Sequence, residues 1–230
     1  MEIETARSKK FSRIAGALYL GIIIFGLIAE KFVREELVNY DEAMVTSLQI
    51  KRDEFLFRFG FVSELLMLVC DVAVTTILFI LFRQVSNNLN LFSTFFRLIS
   101  IAILGITALS HYAAVVILSG DEYLTAFNPG QLNAFALLSI KLHGVGYNIS
   151  LLFFGIHLLM LGILIYKSRI LKITGILLQI AGGCYFANSI IWFLFPHFIT
   201  TVYPAILLPC FIAELFFALW LIKGFRPQVF

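Results

Sequence analysis

Apolar residues in this chain fall into six long runs separated by short polar stretches. The runs lie at roughly 14–33, 57–82, 95–118, 134–166, 173–195 and 203–222. Each is close to or above the ~20 residues that a helix needs to cross ~30 Å of hydrocarbon. Without water, backbone N–H and C=O groups must be satisfied inside the segment, so such runs predict helices. The fourth run exceeds what a span requires, which predicts tilt or a start above the bilayer. The first is longer than the ~7–15-residue core of a signal peptide and lacks its small-residue cleavage pattern, so it reads as a retained span. Between the first two runs, residues 34–55 interleave charges with Leu37, Val38, Met44, Val45 and Leu48. That pattern predicts a short amphipathic helix lying at the membrane surface. Gly16, Gly21 and Gly26 in the first run, and Gly175, Gly182 and Gly183 in the fifth, predict close helix approach. The expected fold is therefore all-α: one polytopic six-helix bundle over 1–230, with an extracytoplasmic amphipathic segment after the first span.

Composition agrees with the pattern. The chain is 60% hydrophobic and 13% charged, with 25 Phe among 230 residues. A soluble domain is nearer ~45–50% apolar and ~25% charged, so this chain has too little polar residue to form a water-facing shell. Cys70, Cys184 and Cys210 all lie in apolar runs and read as packing residues. Six spans put both termini on one side. Arg7, Lys9, Lys10, Arg13, Arg83, Arg97, Lys167, Arg169, Lys172, Lys223 and Arg226 gather on that side. The other side holds fewer cations and most of the acids. The positive-inside rule then places both termini in the cytoplasm.

Candidate chemistry lies where polar groups interrupt the apolar runs. In the fourth run, His143, Tyr147, Ser150, Phe154 and His157 fall within about 40° either side of one line on a helix turning ~100° per residue. Glu64 and Asp71 are seven positions apart in the second run, hence on one face, and Glu214 stands in the sixth. Three carboxylates facing lipid would cost on the order of 8–10 kcal/mol, so they must point inward, pair or take a proton. Arg58, Lys141, His111, His143 and His157 are the candidate partners. Depth estimated from the span ends puts most polar groups, Asn148 and Asn188 included, in the outer half. That predicts an outward-facing pocket built from Glu64, Asp71, His111, His143, Tyr147, His157, Asn188 and Glu214.

The pattern favours binding, sensing or transport of a small molecule or lipid at that pocket over catalysis. The rival is a metal-assisted intramembrane hydrolase using His111, His143 and Glu64 or Asp71; a purely structural role is a third reading. His143 and His157 lie ~21 Å apart along a helix axis and cannot share a metal. No H-E-x-x-H, cysteine pair or G-x-S-x-G is present. Asn148-Ile-Ser matches a glycosylation triplet but falls inside a span. Nothing combines basic and aromatic residues as a nucleic-acid surface would.

Several stretches in this order resemble a bacterial membrane family, domain of unknown function 4386. They are Arg13 to Leu20, Arg34 and Asp41, Phe57 to Asp71, Phe96-Arg97-Leu98, Phe153 to His157, Gly162 with Lys167-Ser168, Gly175 to Tyr185, and Glu214 with Trp220 to Gly224. The resemblance covers nearly the whole chain. It implies a six-span inner-membrane protein and carries no established activity. The chain departs from that family's pattern at Glu64, where Asp is commoner, and at Asn148, where an acid is common.

Overall fold

A computed structural model describes residues 2–168 and 171–224. Arg169 and Arg226, counted above for orientation, lie outside them. The chain is helical throughout, with no strand among the described residues. Helix α1 (Glu2–Leu27) runs on through a π-helical segment, Ile28–Arg34, into the short α2 (Glu35–Leu37). Then come α3 (Ala43–Arg52), α4 (Glu54–Phe82), α5 (Asn87–Ile117), a 3-10 turn (Glu122–Ala126), α6 (Pro129–Lys167), α7 (Lys172–Leu194) and α8 (Pro196–Lys223). Among the described residues, six helices are long and apolar enough to cross a membrane.

Burial runs opposite to that of a soluble protein. Phe55 (83%), Ile106 (70%) and Leu109 (68%) are exposed, while Arg97 (0%) and Glu64 (1%) are sealed inside. Apolar surface facing out and charge facing in suits a lipid solvent. The chain is a multi-pass membrane protein.

Two compact units share the helices. The first contains residues 1–21, 70–102 and 148–230. Here α6 and α7 meet backbone to backbone. A Cβ on Gly162 would come within 2.6 Å of the Gly175 carbonyl, and one on Gly182 within 2.6 Å of the Gly155 carbonyl. Because the glycines sit seven apart on each helix, the same face touches twice. Gly16 is equally constrained: its Cβ would reach 2.7 Å from the Ile222 nitrogen on α8. Beside it the Ser12 hydroxyl donates to the Leu221 carbonyl at 2.8 Å. Gly183 has nothing within 4 Å and so packs nothing.

The second unit contains residues 22–69 and 103–147. Its core joins Val33 and Leu37 to Ile50 of α3, Phe57 of α4, Val115 of α5 and Ile140 of α6. Asn39 forms the turn into α3. Its side-chain oxygen accepts from the Asp41 and Glu42 N–H groups, and its carbonyl accepts the Thr46 hydroxyl. Helix α3 buries Thr46, Ser47 and Ile50 and leaves Met44 and Leu48 exposed. Gly60 admits Val33, whose Cγ1 would lie 2.6 Å from an added Cβ.

Gly162→Ala or Gly175→Ala forces these backbones apart and should cost about 1–3 kcal/mol of stability. Gly183→Ala should be silent. Thermal unfolding in detergent compares the three; equal effects would contradict the α6–α7 packing.

Candidate functional site

In the second unit, ionisable residues from four helical segments converge on one guanidinium nitrogen. Arg34 ends the π-helical run, Glu64 lies on α4, His111 on α5 and His143 on α6. All four are buried. Arg34 Nη1 donates to Glu64 Oε2 at 3.0 Å and lies 3.2 Å from His111 Nδ1 and 3.4 Å from His143 Nε2. Glu64 Oε1 is 2.9 Å from His143 Nε2. Arg34 Nε donates to Glu30 Oε2 at 2.8 Å, one helical turn earlier and partly exposed.

The imidazoles are held by what surrounds them. His111 stacks on the Phe57 ring at 4.3 Å between centroids, and its Nε2 lies 3.3 Å from the Phe57 carbonyl. A carbonyl only accepts, so Nε2 carries the hydrogen and Nδ1 turns its lone pair to the centre. The His143 ring faces Tyr147 at 6.3 Å between centroids, with 27° between the ring planes. One donor atom each from Glu64, His111 and His143 lie within 4.8 Å of one another. Two imidazoles and a carboxylate are a donor set for zinc or a similar divalent ion.

The first unit holds a different network. Arg97 Nε donates to Asp71 Oδ1 at 2.5 Å, and Nη1 reaches His157 Nε2 at 3.0 Å. The guanidinium carbon lies over the rings of Tyr19, 5.3 Å from its centroid, and Phe154, 5.1 Å from its centroid. His157 Nδ1 is 2.9 Å from the Ser93 carbonyl, so it bears the hydrogen and Nε2 accepts from Arg97. Both His157 nitrogens are thereby occupied. Glu214 accepts from the hydroxyls of Tyr19 (2.9 Å) and Tyr185 (2.6 Å). Asn188 donates to Asn148 Oδ1 at 3.3 Å, linking α7 to α6.

The residues singled out in the sequence thus take part in two networks, one within each unit. Glu64, His111 and His143, with Tyr147 alongside, belong to one unit; Asp71, His157, Glu214 and Asn188 belong to the other. Arg58 and Lys141 are not the carboxylates' partners. Arg58 bonds Glu54 and Tyr112, and Lys141 is exposed. Sequence reasoning missed Arg34, Arg97, Tyr19, Tyr185 and Ser93. The need for inward-facing carboxylates to find cations was the available signal. It pointed to Arg34 and Arg97 only if the first and third helices were extended past their apolar cores.

If Asp71 and Arg97 form a compensated pair, breaking it on one side leaves a stranded charge. Asp71→Asn or Arg97→Met alone should cost about 3–5 kcal/mol, and the double variant less than the sum. A double-mutant cycle on unfolding in detergent reads the coupling; strict additivity would refute the pair.

The profile of a family described as Domain of unknown function (DUF4386) matches residues 14–224. An uncharacterized protein of Archaeoglobus fulgidus is 31% identical over 170 residues, which is 72% of this chain and 84% of that protein. No solved structure matches.

Proposed function

Because the chain belongs to the DUF4386 family, whose description assigns no activity, we propose its function from its own polar centre. It is a membrane-embedded binding protein, a sensor or transporter, that takes a small molecule or lipid headgroup at Arg34, Glu64, His111 and His143. One observation carries this reading: three ionisable side chains on three helices converge on a single nitrogen of a fourth. Isolated charges in a span cost ~2.5–3.5 kcal/mol each, and apolar side chains would fill the same space without that cost. A cluster of this kind suits exchange of partners with a ligand.

Metal-assisted hydrolysis is the second reading, favoured by the Glu64, His111 and His143 donor set. Asp71, the other carboxylate considered for it, is bonded to Arg97 in the other network. Tyr147 belongs with the binding centre through its ring contact to His143. The unbroken family match supports treating the six spans as one working domain. The Lys and Arg asymmetry supports a bacterial plasma membrane with both termini cytoplasmic.

Two measurements test this. Detergent-purified protein should be stabilised by at least one compound in a panel of polar metabolites and lipids, by ~2.7 kcal/mol at a hundredfold excess over Kd. Glu64→Gln should abolish that response while helicity persists; an unchanged response would remove the centre as the binding site. A reporter fused after Phe230 should be active only in the cytoplasm, and activity only outside would invert the orientation.

A further inference from the structure

We propose that Glu64, His111 and His143 form a site for one divalent transition-metal ion of zinc's class, and that the Arg34 guanidinium is the cation it exchanges with. The inference rests on reading this centre as a binding site and names the chemical class of its ligand.

The donor set comes first. His111 offers Nδ1, because its Nε2 is engaged with the Phe57 carbonyl. Fixing one imidazole nitrogen on a backbone carbonyl is how metal-binding histidines are oriented. His143 faces the centre with Nε2, which donates to Glu64 Oε1 and offers a lone pair once its proton moves to Nδ1; Glu64 offers a carboxylate oxygen. The three atoms already lie within 4.8 Å of one another. Around zinc at ~2.0–2.2 Å, such atoms stand about 3.3 Å apart. Small side-chain rotations on α4, α5 and α6 close that difference. Three protein ligands leave one zinc position open.

The second observation is what already stands among them. Arg34 Nη1 is within 3.0–3.4 Å of a donor atom on each of the three residues. A positive group therefore sits where an ion would sit, and the two cannot be there together. The exchange keeps Glu64 compensated, because a cation leaves as a cation arrives; the ion's second positive charge calls for an anionic ligand at the open position. Arg34 is not stranded on leaving, because Nε keeps Glu30, which is partly exposed. Arg34 is also the last residue of the π-helical run Ile28–Arg34. Such runs carry an extra residue per turn, and resetting one to α turns the following side chain by roughly 100°. The backbone beside the site thus has its own means of withdrawing the guanidinium.

His157 is not part of this site. Both its nitrogens are engaged, by Arg97 and Ser93.

Zinc ion alone is the probe. Full-length protein in detergent is titrated by calorimetry, and bound metal is counted after dialysis. Wild type should bind one zinc, and Arg34→Gln should bind it at least tenfold tighter, since the competing cation is gone. Adding His143→Gln to that variant should lose at least tenfold. Circular dichroism and gel filtration establish that each variant is folded. Should Arg34→Gln not fold, cobalt(II) added to wild type gives a second readout: visible bands of a four-coordinate site that His111→Gln or His143→Gln removes. A folded Arg34→Gln that binds zinc no tighter than wild type overturns the exchange. Binding that survives loss of either histidine overturns the site. No zinc or cobalt binding, with a panel compound still bound through Glu64, overturns the metal inference and leaves the small-molecule reading standing. Zinc binding with no panel response does the reverse.

Discussion

Charge inside hydrocarbon must be compensated on the spot, and much of this molecule follows from that constraint. Coulomb attraction grows as the local dielectric falls, and so does the cost of an unpaired ion. Each buried carboxylate accordingly has defined company. Glu64 has Arg34 and His143, Asp71 has Arg97, and Glu214 has two tyrosine hydroxyls. The partners come from different helices, so the pairings also select which helix faces turn inward. A small change in helix rotation would move a charge towards lipid, which makes these pairs register marks as well as contacts.

The two networks answer the constraint differently. Around Arg97, the cation has Asp71 and His157 at two of its nitrogens and the rings of Tyr19 and Phe154 against its carbon. Asp71 and both His157 nitrogens have partners whose roles hydrogen-bond direction fixes, while Arg97 Nη2 is buried without a hydrogen-bond partner among the described residues. Around Arg34, one nitrogen donates to Glu64 at 3.0 Å and to His111 at 3.2 Å, and stands 3.4 Å from a His143 Nε2 whose own hydrogen goes to Glu64. Longer, divided bonds are easier to trade for another partner.

Six spans, their order and the polar face of the fourth were legible in the sequence, because hydropathy over twenty residues is a strong and local signal. Glu64, His111 and His143 were legible as inward-facing groups for the same reason. Their cations were not. Arg34 reads as the start of a charged loop, yet the helix continues past it through a π-helical run that residue periodicity does not announce. Arg97 reads as a span boundary because Asn87, Asn88 and Asn90 look like a turn. In the structure α5 begins at Asn87, and the Asn90 amide is buried, donating to the Phe79 carbonyl near the end of α4. The sorting into two networks was hidden too, because depth counted from span ends cannot tell which helix a side chain meets. Among the glycines, Gly162 was marked by no run of small residues, yet it pairs with Gly175, while Gly183 pairs with nothing.

The doubled glycine contact between α6 and α7 has a mechanical consequence. Two helices touching through their main chains at successive points have no side-chain layer to shear, so they behave as a single stiff beam. That beam resists bending between Gly155 and Gly162 on one side and Gly175 and Gly182 on the other.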